Sequence, residues 1–137
     1  MTVQLDPYLS FSDGKAREAM EFYHSILGGE LRINTFGEFG APDPAIADKV
    51  MHAMLTSEKG YLLMAADTAP GMPFNPGNTI TVSLSGDPGE GLEEVWEKLA
   101  DGGTVQLPFE KQMWGDLYGQ LTDKFGIPWM IDVVVPQ

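Results

Sequence analysis

The sequence predicts an α+β fold made of two tandem βαβββ modules. Three observations carry this. Two amphipathic helices, over residues 15–27 and 88–100, each end in Gly-Gly followed by a β-type segment. These junctions read Gly28-Gly29-Glu30-Leu31 and Gly102-Gly103-Thr104-Val105, so residue 28 recurs at 102, an offset of 74 residues, about half of the 137-residue chain. One strand-like segment precedes each helix and three follow it.

The first helix is predicted from one apolar stripe at helical period: Ala16, Ala19, Met20, Tyr23, Ile26 and Leu27. Ser12 or Asp13 can cap its start, and Gly28-Gly29 can close it in a left-handed turn. The second helix shows Leu92, Val95, Trp96 and Leu99 on one face. Asp87 is placed as its N-cap, Pro88 at its first position, and Glu90 as the return arm of a capping box. The strands before the helices are expected over 7–11 and 78–85. Those after them are expected over 30–38, 50–57 and 61–66, then 104–109, 114–122 and 129–135. Module one therefore spans about 1–67 and module two about 78–137, joined by a Pro- and Gly-rich linker over 68–77. The whole is expected to be a single domain over residues 1–137. This order is not the β-α-β-α alternation of a doubly wound sheet.

Composition narrows the function classes. The chain is 43% hydrophobic and 20% charged, as a globular domain should be. It has no cysteine, which excludes disulfides and thiolate metal sites and suits a reducing cytoplasm. No apolar run reaches membrane-spanning length, and the first six residues lack the pattern of a signal peptide. A net charge of -12 repels phosphate backbones and anionic bilayers. No nucleic-acid and no membrane partner is expected.

Strand alternation sorts the side chains. Leu9, Phe11, Ile80, Val82 and Leu84 are assigned to the faces beneath the helices. So are Trp129, Ile131 and Val133. Val50, His52, Met54 and Thr56 are read as one row, and Leu62, Met64 and Ala66 as another. The opposite faces collect Tyr8, Ser10, Thr79, Thr81, Ser83, Trp114, Tyr118, Met130 and Asp132. Hydroxyls, aromatics and a carboxylate on one surface suit a small-molecule lining.

Three segments also resemble a known family. They are PYLSFSDGKAREAMEFYHSILGGEL, VMHAMLTSEKGYLLMAAD and WGDLYGQLTDKFGIPWMIDV. As an ordered set they are similar to the PhnB-like branch of the glyoxalase/bleomycin-resistance/dioxygenase superfamily, the vicinal oxygen chelate proteins. The resemblance implies a U-shaped eight-stranded mixed sheet around a cavity, helices on its outer face, and a homodimer. It also implies a divalent ion held by His, Gln or Glu from the first and last strand of each module, acting as a Lewis acid. The matching strands here offer Tyr8, Leu63 or Met64, Thr79 and Asp132, of which only Asp132 is a good ligand. The expectation is therefore a small-molecule binder with no metal and no other cofactor; the alternatives are a divalent-metal-dependent lyase, isomerase or dioxygenase of the same superfamily and a non-catalytic, drug-sequestering protein of the bleomycin-resistance type.

Within that reading His52 and Asp132 are the candidate catalytic residues. His52 is a strand histidine able to exchange a proton near neutral pH. Asp132 is a carboxylate between Ile131 and Val133. Tyr8, Ser10, Met64, Thr79, Thr81, Trp114 and Tyr118 are the candidate ligand contacts. His24 is assigned to the helix surface and Asp67 to a turn. Some relatives carry a ubiquinone-methyltransferase label, but no loop suits S-adenosylmethionine. The glycine pairs end helices, where they expose carbonyls rather than the amides an anion needs.

Overall fold

A computed structural model of the chain describes residues 3–40, 43–69 and 71–136. Met1 and Thr2 of the leader reading and Pro70 of the expected linker lie outside them. The element order is β1 (Tyr8–Phe11), α1 (Ala16–Leu27), β2 (Glu30–Thr35), β3 (Val50–Thr56), β4 (Leu62–Asp67), β5 (Val82–Gly86), α2 (Leu92–Ala100), β6 (Thr104–Lys111), β7 (Leu117–Thr122) and β8 (Pro128–Val133). The expected βαβββ order thus appears twice. The chain divides into two compact units, Met1–Asn75 and Pro76–Gln137, with the boundary inside the expected linker.

Each unit holds one four-stranded sheet. The orders are β1-β4-β3-β2 and β5-β8-β7-β6, the same permutation twice. In both, the first strand pairs parallel with the last, and the remaining pairs are antiparallel. A crossover containing the helix permits the parallel pair; short turns join β3 to β4, β6 to β7 and β7 to β8, while β2 reaches β3 through a longer connection over residues 36–49.

In the first unit α1 packs on β2, β3 and β4. Its residues Ala16, Ala19, Met20 and Tyr23 are buried, as are Leu9, Phe11, Ala53, Leu55, Leu63 and Ala65 of the sheet. Burying each large side chain of this kind stabilises by roughly 1.5–3 kcal/mol. In the second unit Leu92, Trp96 and Leu99 of α2 cover Leu121, Trp129, Ile131 and Val133. Trp96 stacks on Phe109 at 5.2 Å between ring centroids. Gly119 makes room for it, since a Cβ there would sit 2.7 Å from the Trp96 ring.

The repeat extends to atomic detail. The β3–β4 turn is tied by Ser57 Oγ, which accepts from Lys59 N–H (3.1 Å) and Tyr61 N–H (3.2 Å). The β7–β8 turn is tied by Asp123 Oδ1, which accepts from Phe125 N–H (2.8 Å) and Ile127 N–H (3.1 Å). Asp123 is buried, and its other oxygen accepts from Trp129 Nε1–H at 2.9 Å. Gly29 and Gly103 each press against the backbone leading into that turn, beside Thr56–Ser57 and Thr122–Asp123.

Several sequence expectations need correction. Neither Ser12 nor Asp13 caps α1, which starts after Lys15 with no local side-chain cap. The cap comes from Asp67, 51 residues away, whose Oδ1 accepts from Ala16 N–H at 2.9 Å. Asp67 is therefore no turn residue. It is only 5% exposed, and its Oδ2 accepts from Val50 N–H at 2.8 Å. The second helix begins at Leu92 rather than Pro88, with no capping box at Asp87 and Glu90. Gly89 and Gly91 both adopt positive φ (91° and 83°), which carries the chain out of the helical path. Gly-Glu-Gly thus opens α2, a glycine pair that the reading of helix ends missed. Strand β2 stops at Thr35 and gives way to a 3-10 turn, Gly37–Phe39. A bulge opposite Asn34 and Thr35 inserts Met51, so Val50 joins the buried face and leaves the row of His52 and Met54.

Candidate functional site

The face of each sheet away from its helix carries most of the sequence-predicted candidates, in two groups. On the first sheet Tyr8 stands opposite Met64, and Met64 opposite Met54. Arg32 completes that row beyond Met54, and Asn34 stands opposite His52. Ser10 lies two residues along β1 from Tyr8, both exposed. The rings of Tyr8 and His52 are 5.9 Å apart, tilted by 49°. His52, Met54 and Met64 are half-buried. Tyr8, Ser10, His52 and Met64 thus share one face: alternation expects this of Tyr8 and Ser10, and the strand register adds His52 and Met64.

On the second sheet Tyr118 stands opposite Asp132, and Gln120 opposite Met130. Ser83 and Ser85 of the edge strand face Met130 and Asp132 in turn. Gln120 Nε2 donates to the Tyr118 hydroxyl at 2.8 Å, and that hydroxyl donates onward to Met130 Sδ at 3.5 Å. A thioether is a weak acceptor, so the phenolic proton is held loosely. Trp114 meets Tyr118 edge-on, with centroids 5.6 Å apart.

Three candidates sit elsewhere than expected. Thr79 and Thr81 precede β5, which begins at Val82, and both are exposed. Ile80, assigned beneath the helix, is 80% exposed for the same reason. Trp114 lies in the β6–β7 turn, not on β7, because Gly115 takes φ 102° and Leu117 is the first paired residue. His24 closes α1: its Nε2–H donates to Gly29 O at 2.9 Å.

Asp132 is the electrostatic anomaly. Its Oδ1 is buried with no hydrogen-bond partner. Burial pushes its carboxyl above the ordinary carboxylate range, and the hydrogen bond and negative charge of Asp116 push it further the same way. Asp116 is fixed by the backbone, its Oδ1 accepting from Val135 N–H at 3.1 Å. Asp116, Gln120 and Ser85 are absent from the sequence-derived list, although the i, i+2 row through Trp114, Tyr118 and the strand partners of Asp132 could have supplied them.

The raised value sets the sign of a pH effect. Between the unfolded and folded values the native state binds more protons, so Asp132 lends stability at low pH that is lost as pH rises through its folded value. Asp132→Asn should gain stability over the wild type as pH rises from 3 to 8, and the two should converge near or below the ordinary value of 3.8. Urea unfolding across that range checks it. A wild-type advantage that grows with pH would contradict the assignment.

The donors do not fit a divalent ion. The open faces of β1 and β4 present Tyr8, Ser10, Met64 and Ala66, and those of β5 and β8 present Ser83, Ser85, Met130 and Asp132. Asp132 is the only carboxylate in this set, with Asp116 beside it, and a hard or borderline ion wants three or more good ligands. Among the described residues no group of three His, Asp or Glu side chains stands together.

The twice-used βαβββ sheet with an open face defines the glyoxalase/bleomycin-resistance/dioxygenase class. Solved structures share it: a glyoxylase/bleomycin resistance protein/dioxygenase domain from Frankia (TM-score 0.66, 15% identity, 97% of this chain and 98% of that one). So does the fosfomycin resistance protein FosX of Listeria monocytogenes, complexed with Mn(II) and sulfate (0.60, 12%, 98% and 94%). At these identities the likeness is one of fold. Within the class, the chain belongs to the PhnB-like family whose model, described as 3-demethylubiquinone-9 3-methyltransferase, matches residues 4–132. Protein YjdN of Escherichia coli is 32% identical, with 97% of each chain covered. Protein PA1353 of Pseudomonas aeruginosa is 37% identical with a TM-score of 0.86, covering 98% of this chain and all of that one. A PhnB protein from Bacillus cereus is 26% identical with a TM-score of 0.75, covering 96% and 100%.

Proposed function

We propose that this chain binds a small organic molecule on the open face of its sheets, without the divalent ion of its superfamily, and either holds it or rearranges it by proton transfer. The buried, unpartnered Oδ1 of Asp132 carries this reading. An orphaned carboxyl oxygen costs free energy in the free protein, and a ligand donor would remove that cost. Tyr118 supplies a loosely held O–H one strand away, and Trp114 an exposed aromatic surface beside it. Tyr8, Ser10, His52 and Met64 offer a second set of contacts on the first sheet.

Methyl transfer is not part of the reading. The Gly-Glu-Gly turn that opens α2 contains Glu90 and is flanked by Asp87, Glu93 and Glu94, a setting that repels phosphate and carboxylate groups. A cytoplasmic homodimer remains the working assembly. Among the described residues no helix is long and apolar enough to cross a membrane.

Native mass spectrometry and ligand-observed NMR with a broad mixture of metabolites test the proposal. A bound species is expected with wild type, and Asp132→Asn and Tyr118→Phe should each weaken it by roughly tenfold to a hundredfold. No bound species, or binding that ignores both substitutions, would sink it.

A further inference from the structure

We propose that the open face of the first sheet holds a site for a soft monovalent metal ion, Cu(I), formed by His52, Met54 and Met64. The proposal shares His52 and Met64 with the first-sheet contacts of the small-molecule reading, but that reading is carried by Asp132 on the second sheet.

The backbone places the three side chains together. Met54 and Met64 are direct partners on β3 and β4, the two central strands of the sheet. Directly paired residues on one face have Cβ atoms about 5 Å apart, and diagonal neighbours about 7–8 Å, within reach of long side chains. His52 precedes Met54 by two residues on the same strand, so its ring projects from the same face and lies diagonal to Met64. The Tyr8 ring, 5.9 Å away, limits the swing of the imidazole.

The chemistry of the face is unusual for a hydrogen-bonding pocket. All three side chains are half-buried, and among the described residues none of them makes a hydrogen bond or ion pair. Thioethers accept hydrogen bonds weakly. Two of them beside an imidazole form a donor set with no carboxylate, poor for Mg²⁺, Ca²⁺ or Mn²⁺ and well matched to Cu(I). The nearest fixed charge in the row is Arg32, and it is engaged by Glu30 at 2.8 Å. The face is therefore not dominated by an unpaired cation that would repel the ion. No redox step is involved: Cu(I) passes intact from one ligand set to another.

Anaerobic titration of the intact chain against the Cu(I)–bicinchoninate complex tests the site. Wild type is expected to withdraw a single equivalent of copper, and X-ray absorption at the copper edge should show sulfur and imidazole nitrogen. The Met54→Leu/Met64→Leu double variant nearly conserves side-chain volume, so far-UV circular dichroism should be unchanged. It and His52→Gln should hold copper more weakly by on the order of tenfold or more. Met113→Leu, at a fully exposed methionine of the other unit, should match wild type. Failure of wild type to withdraw copper, equal withdrawal by the double variant, or a spectrum without sulfur overturns the site. Because Asp132→Asn probes the other sheet, loss of small-molecule binding there and loss of copper here are read separately.

Discussion

Gly29→Ala is expected to destabilise the protein by roughly 2–5 kcal/mol. Two costs combine. The residue has φ 88°, where an L side chain pays about 1–2 kcal/mol. Its new Cβ would also collide with the Thr56 carbonyl oxygen and lie 2.7 Å from Ser57 Cα. These are backbone atoms of a paired strand and cannot swing aside, so overpacking adds about 1–3 kcal/mol. Gly103→Ala is the internal control. Its Cβ would meet the Thr122 carbonyl in the same way, but Gly103 has no positive φ, so only the collision applies. Urea midpoints should place Gly29→Ala below Gly103→Ala, and both below wild type. The reverse order would show that backbone conformation is not what fixes the first glycine.

Asp67→Ala is expected to cost about 3–5 kcal/mol, because it strands two buried amides at about 1–3 kcal/mol each and leaves a void beside them. The carboxylate joins Ala16 N–H at the start of α1 to Val50 N–H at the start of β3, and no local side chain replaces it as a cap. Asp67→Asn retains one acceptor oxygen and turns a donor toward the other amide. It should fall between alanine and wild type. Denaturant midpoints with an unchanged slope would confirm a native-state effect. A loss below 1 kcal/mol for alanine would show that the two amides find other partners.

These two residues also show what the sequence could and could not disclose. The Gly-Gly pairs were legible as helix ends, and their repetition exposed the tandem modules. That Gly29 touches the next hairpin was not legible, because the contact spans 27 residues. Asp67 follows a strand, where local statistics favour a turn, and its partners are 51 and 17 residues distant. Propensity rules see only neighbours, so they assigned the α1 cap to Ser12 or Asp13. Similarly, Asp87-Pro88 looked like a helix start until the positive φ angles of Gly89 and Gly91 moved that start to Leu92. Alternation placed Tyr8, Ser10, Tyr118 and Asp132 correctly on open faces, since a period of two survives along an unbroken strand, but it left the faces of the His52 and Met64 rows undecided. It failed at Val50, where one extra residue inverted the count, and at Thr79, Thr81 and Trp114, where pairing had ended. The Asp116–Asp132 relation needed strand register, which no single strand contains.

The parallel pairing of first and last strand has a consequence for how each unit assembles. Strands β2, β3 and β4 are neighbours in sequence and can pair by closing loops far shorter than the span from β1 to β4. Strand β1 has to wait for β4, with Tyr8 meeting Met64 across more than fifty intervening residues. Loop-closure entropy opposes that encounter, so it belongs late on the folding path and raises the contact order of both units. The amides of Ala16 and Val50, clasped by one carboxylate at this late seam, then exchange with solvent only when the seam parts. Their hydrogen-exchange rates would act as a clock for the opening of the whole first unit, a readout that its surface strands cannot give.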